Sequence, residues 1–187
     1  MGRVFQIDLQ ALVDCIGRTS LGNGIEKEIV ALMPRLRRFA CALTGSVEEA
    51  DDVLQGALER AIKNQALWQK GTRLDSWMYR IVQNHFLNTV RDGKTRNRYH
   101  EQAGAETAIH TDERPQTEAR LTLVAVQKEM QKLDPEQRVV MELICIEGHS
   151  YTEVAEILEI PIGTVTSRLA RGRIALKKAL YEFNETS

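Results

Sequence analysis

Thr164, Ser167, Arg168 and Arg171 fall on one side of a helix turning about 100 degrees per residue, with Lys178 further along. Ile162, Val165, Leu169 and Leu176 fall on the other side. A guanidinium can fork onto the acceptor edge of guanine and a small hydroxyl can bond a phosphate oxygen. An outward face of this kind therefore suits the major groove of DNA. Arg173 lies close to the apolar stripe and is the weakest member of the set. A surface helix with a solvated charged face could carry the same arginines, so the preceding residues decide.

Just upstream, Ser150 and Glu153 have capping-box spacing, in which each side chain satisfies a backbone donor left free by the first helical turn. Val154, Ala155, Ile157 and Leu158 then make one apolar face, with Glu153, Glu156 and Glu159 outside it. Pro161 cannot donate to a preceding turn and suits the start of a new helix. The chain should break near Glu159 and Ile160 and restart at once. A short helix, a tight turn and an arginine-bearing second helix form a helix-turn-helix.

The 187 residues suffice for one medium or two small domains, and 43% apolar residues supply ordinary cores. No apolar run approaches membrane-spanning length, and "MGRVFQIDLQ" lacks the plan of a signal peptide. A cytoplasmic protein without membrane insertion is expected. Cys15, Cys41 and Cys145 are odd in number and widely spaced, which suggests buried free thiols rather than disulfides or zinc ligands. His85, His100, His110 and His149 have no metal-ligand spacing, no glycine-rich phosphate loop opens a helix, and no nucleophile sits beside a base. Neither an enzyme nor a bound cofactor or metal is expected.

The net charge of -1 hides a segregation. Between residues 46 and 62 stand Glu48, Glu49, Asp51, Asp52 and Glu59 against Arg60 alone; between 69 and 98 stand Lys70, Arg73, Arg80, Arg91, Lys94, Arg96 and Arg98 against Asp75 and Asp92. Such alternation fits a protein that touches nucleic acid on one surface and a basic protein on another.

Helical periodicity runs through the chain, so an all-α fold is predicted: two small helical domains joined by a flexible linker, the second a four-helix domain. "GIEKEIVALMPRLRRFACALTG" reads as a helix with Ile29, Leu32, Leu36, Phe39, Ala40 and Leu43 inward, bent at Pro34 and closed by Gly45. Ser46 and Glu49 open a second helix with Val47, Ala50, Val53, Leu54, Ala57, Leu58 and Ala61 inward. After a loop, "LDSWMYRIVQNHFLNTVRDG" forms a third, with Trp77, Ile81, His85 or Phe86, and Val90 at helical spacing, ending near Gly93. Residues 94–117 are polar and lack an apolar face, which marks a linker. Then come "EARLTLVAVQKEMQKL" and "DPEQRVVMELICIEG", the latter capped by Asp134, with Pro135 in its first turn and Gln137 closing a box. The division expected is 1–24, an extension without assigned role; 25–93; the linker 94–117; and 118–187.

This order resembles the extracytoplasmic-function (ECF) sigma factors of bacterial RNA polymerase, over nearly everything from Ile25 to Leu180. Three stretches carry it: "ALTGSVEEADDVLQGALERA", "LDSWMYRIVQNHFLNTVR" and "LDPEQRVVMELICIEGHSYTEVAEILEIPIGTVTSRLARGRIAL". "GTRLDSWMYRIVQNHF" also resembles the alphaproteobacterial general-stress branch. The resemblance implies promoter-specific initiation with core RNA polymerase and promoter DNA as partners, together with an anti-sigma factor. The first domain would bind the polymerase clamp and open the minus ten element; the second would read the minus thirty-five element through Thr164, Ser167, Arg168, Arg171 and Arg173.

The residues agree with those roles. Asp51, Asp52 and Gln55 lie within little more than one turn and could engage a basic coiled coil; a solvated acidic first turn favoured by the helix dipole would look the same. Opening DNA needs a pocket for an unstacked base and a basic groove. Trp68 and Arg73 in the loop, and Trp77, Arg80, Asn84 and Asn88 on the helix, are the candidates. Trp77 suits a core at least as well as a stacking platform, whereas Trp68 is expected to be more exposed.

Three departures stand out. Glu159 occupies a turn position where the family often has glycine, and left-handed backbone there would cost about 1 kcal/mol. Thr166 stands where the family often has Lys or Arg, which should weaken phosphate affinity. Residues 1–24 exceed the family's usual start. The rival reading is an autonomous helix-turn-helix regulator, which would need neither the acidic first domain nor the long linker.

Overall fold

A computed structural model describes residues 25–68, 71–99 and 126–185. The extension 1–24 and residues 100–125, which include most of the expected linker and the start of the helix expected at 118, lie outside the described residues. Those described form helices and turns without a strand: α1 (Ile25–Thr44), α2 (Val47–Lys63), a 3-10 turn at Gln65–Leu67 and α3 (Leu74–Tyr99) make a first lobe. The second lobe comprises α4 (126–132), α5 (Pro135–Met141) continuing through a π-helical turn at Glu142–Ile146, α6 (Tyr151–Leu158) and α7 (Ile162–Glu185).

Each boundary has a local cause. Gly45, with φ 76°, ends α1 and donates to the Cys41 carbonyl at 2.8 Å. Ser46 then caps α2 by accepting from the Glu49 amide, while its own amide faces the Thr44 hydroxyl at 3.4 Å. Asp134 caps α5 through the Glu136 amide at 3.0 Å; the reciprocal bond expected from Gln137 is not among those formed. The capping box of α6 is complete, with Glu153 accepting from the Ser150 amide at 2.8 Å.

Gly93 does not stop α3, which runs on to Tyr99 into what the sequence reads as linker. A glycine inside a helix costs only about 1 kcal/mol, and Gly93 does not take the positive φ that would end one. Pro161 sits one residue ahead of α7, where its carbonyl receives the Thr164 and Val165 amides at 2.8 and 3.2 Å.

The predicted apolar faces of α1 and α2 are buried, with Met33 added and Leu32 only partly covered. Val47 on α2, and Ile162 on the predicted apolar face of α7, are exceptions: each opens its helix and they are 45% and 51% exposed. On α3 the buried set is Leu74, Met78, Tyr79, Val82 and Phe86, while Trp77, Ile81 and Val90 pack against the core without entering it. A Cβ on Gly56 would lie 2.1 Å from the His85 ring, so α2 and α3 cross where only glycine fits.

Buried side chains of the two lobes belong to one cluster, from Leu36 and Phe39 to Val140, Ile157 and Val165. Arg138 on α5 is buried within it and donates to the Leu43 and Gln131 carbonyls and, at 3.2 Å, to that of Leu133. Its guanidinium also lies 5.9 Å from the centre of the Phe86 ring. Gln131 reaches the Ala42 carbonyl at 2.8 Å. The lobes are thus closed on each other through the end of α1, the middle of α3 and the start of the second lobe.

Candidate nucleic-acid interface

On α7, Val165 and Leu169 are buried and fix which side faces out. Ser167 is half-buried and donates to the Thr164 carbonyl at 3.0 Å; Thr164 is half-buried beside it. Arg171 is exposed, as is Thr166, whose hydroxyl donates to the Ile162 carbonyl at 3.0 Å. Arg168 is turned toward the first turn of α5 and paired with Glu136. Arg173 is exposed, with its guanidinium beside the Cys145 thiol and Tyr151. Of the five residues predicted for the upstream element, Arg171 stands most freely.

The turn ahead of α7 takes the expected form. Glu159 has φ 53° and ψ 43°, left-handed backbone and the only positive φ among the described non-glycine residues. The Ile160 amide donates to the Ala155 carbonyl at 3.1 Å and the Glu159 amide to Glu156 at 3.4 Å, the pair of bonds that closes a Schellman motif.

On the first lobe, Arg73, Trp77, Arg80, Asn84 and Asn88 follow one stripe of α3. Asn84 and Asn88 are exposed. The two arginines instead face α6. Arg80 donates to the Ile157 carbonyl at 2.9 Å, the Glu156 carbonyl at 2.7 Å and the Glu159 carboxylate at 2.5 Å. Arg73 pairs with Asp75 at 2.9 Å and with Glu153. Trp77 is half-buried, packed against the core without entering it. Trp68, expected to be exposed, is half-buried against the core with its indole N–H enclosed and unbonded, because the 3-10 turn folds it back over the lobe. That placement leaves the ring half-covered, where exposure was expected.

Glu147 and its neighbours complete the contact. Its carboxylate accepts from the Tyr79 hydroxyl at 2.5 Å and from Arg35 at 3.0 Å, and His149 meets the Tyr79 ring edge-on at 5.3 Å. Burial, with the adjacent carboxylate, pushes the Tyr79 phenol well above its usual range, so it stays a donor. Bonds from the Ser150 amide and from Arg73 hold Glu153 down to about 2, and burial lowers His149. Glu142, buried in the π-helical turn near Glu147, is pushed up to about 7 despite Arg138.

The acidic set on α2 divides. Asp51 is taken by Arg37 through two bonds of 2.9 and 3.0 Å and is largely covered. Asp52 and Gln55 are exposed, and Glu48 and Glu59 extend them into a stripe at helical spacing, with Gln55 donating to Glu59 at 3.4 Å. The sequence reading missed Glu48 and Glu59 as members, although their i, i+4, i+7 spacing was visible. It also missed the acids that hold the arginines, Glu136, Glu147, Glu153 and Glu159. Only Glu159 carried a signal, as a side chain placed where glycine is the easy choice.

This architecture, a helical lobe with an acidic helix beside a basic one and a second lobe with a helix-turn-helix, matches two family profiles. Residues 29–83 match the "Sigma2 domain of PhyR" and residues 123–176 match "Sigma-70, region 4". The chain is 33% identical over 161 residues to the ECF RNA polymerase sigma factor EcfG of Rhodopseudomonas palustris, covering 86% of this chain and 87% of that one. It is 34% identical over 159 residues to the ECF RNA polymerase sigma factor SigW of Bacillus subtilis, covering 79% and 84%. Among solved structures it is similar to the sigma factor RpoE in complex with the anti-sigma factor NepR from Bartonella quintana. That match has a TM-score of 0.71 and 28% identity, covering 84% of this chain and 96% of the other. The chain belongs to the ECF RNA polymerase sigma factors, which makes it a transcription initiation factor and not an enzyme.

Proposed function

We infer that the first lobe, residues 25–99, takes core RNA polymerase through α2 and the minus ten element through α3, and that the lobe from 126 takes the minus thirty-five element through α7. The observation that carries this reading is the exposed stripe Glu48, Asp52, Gln55 and Glu59: an acidic face turned to solvent suits a basic protein surface. Asp52 and Gln55 are its centre, and Asp51 supports it from behind through Arg37. On α7, Arg171 contacts base edges or phosphate with Ser167 and Thr166 beside it, and Arg168 joins when Glu136 releases it.

The protein works in the cytoplasm, in a stress response, under an anti-sigma factor that stabilises a closed arrangement of the lobes. Similarity to EcfG and to a sigma factor solved with its anti-sigma factor supports that role. No helix among the described residues is long and apolar enough to cross a membrane.

Purified protein mixed with core polymerase and a promoter from its own genome provides the test. Promoter-specific transcripts that require the added protein are expected. Tight operator binding by the free protein, without such transcripts, would favour the autonomous regulator.

A further inference from the structure

We propose that Glu159 is a latch that holds the two lobes closed and keeps Arg80 away from nucleic acid. The proposal rests on the reading of α3 as a DNA-facing helix. Its starting point is a conflict: Glu159 takes a left-handed backbone that glycine would adopt at lower cost. Its carboxylate meets the Arg80 guanidinium from the other lobe at 2.5 Å. An exposed ion pair by itself contributes little. Arg80 does more, because the same fork closes on the Glu156 and Ile157 carbonyls at the C-terminal end of α6, where the helix dipole favours a cation. Three acceptors therefore surround one guanidinium, one of them the Glu156 carbonyl that also accepts the Glu159 amide in the Schellman turn.

The arrangement extends along α3. Arg73 is held by Glu153, and Glu136 holds Arg168 while lying 3.9 Å from Arg91. Acids of the second lobe thus occupy arginines where a phosphate backbone would otherwise sit. Glu159 is the member whose geometry has no other use, since Glu153 already closes a capping box and Glu136 lies in the first turn of α5. A polyanion that competes for Arg80 would release α6 and open the lobes.

The full chain serves for the test. Glu159→Gln and Glu159→Gly are compared with wild type and with Glu156→Gln, which removes the same charge from an exposed side chain nearby. Small-angle scattering reads the radius of gyration, and fluorescence anisotropy reads affinity for a labelled single-stranded thymidine oligonucleotide. Both Glu159 variants are expected to enlarge the radius and to bind the oligonucleotide at least threefold more tightly, while Glu156→Gln stays near wild type. Glu159→Gly suits the left-handed turn and keeps the test valid should the glutamine variant lose helix. Equal behaviour of the Glu156 and Glu159 variants overturns the latch, as does tighter binding without a larger radius. A larger radius without tighter binding keeps the latch and overturns the assignment of Arg80 to DNA.

Discussion

The acidic stripe of α2 and the arginine stripe of α3 belong to the same lobe, yet their charges are treated in opposite ways. Asp52 and Gln55 face solvent, whereas Arg73 and Arg80 are closed against α6. A charge left in water costs the fold nothing and stays available to a partner; one drawn into a contact has its donors committed. On the proposed assignment of α2 to polymerase and α3 to DNA, the closed chain would meet a basic protein surface first and DNA second. Within α2 the same contrast recurs between neighbours, since Asp51 is bound to Arg37 and Asp52 is free to turn outward.

The largest effect should come from the most committed charge. Arg138→Ala leaves the Leu43, Gln131 and Leu133 carbonyls without their donor inside the shared core, and a loss of roughly 3–5 kcal/mol in urea denaturation is expected. A loss below about 1 kcal/mol would mean that the lobes are not joined through this residue.

Glu142 gives the same contrast a pH dependence. Its folded-state value is raised above the unfolded one, so the native protein binds the proton more tightly. The contribution of this group is most favourable below about pH 4.5 and is lost as pH rises to about 7. Glu142→Gln should remove that slope and stabilise the protein above pH 7 by up to about 3 kcal/mol, measured by denaturation across the range. Parallel profiles for variant and wild type would contradict it.

On the free side, Asp52→Arg combined with Gln55→Ala should weaken core polymerase binding by about tenfold or more, while stability stays within about 0.5 kcal/mol. Loss of helical signal in circular dichroism would make these residues structural and erase the contrast. The smallest effect is expected at Asp51→Asn, which loosens a pair with Arg37 whose carboxylate is largely covered and should cost about 1 kcal/mol in stability. Its polymerase affinity should fall less than that of Asp52→Arg; the reverse ranking would move the interface onto Asp51.

The sequence by itself determined what depends on neighbours within a turn or two. Capping at Ser46 and Ser150, the break at Glu159, the inward stripes of α1 and α2, and the outward position of Arg171 follow from spacing along single helices. The family motifs extended that to function, because they too are local strings. Gly93 was misread because a lone glycine weakens a helix without ending it when no left-handed turn follows.

The tertiary structure alone decided which charges are free. Arg80 lies 77 residues from Ile157, and Arg35 lies 112 from Glu147. No periodicity couples positions that far apart, because their meeting depends on how two whole lobes pack. Trp68 fell to the same cause: a tryptophan in a loop is exposed or folded back according to the surface beneath it, and that surface is assembled from other helices.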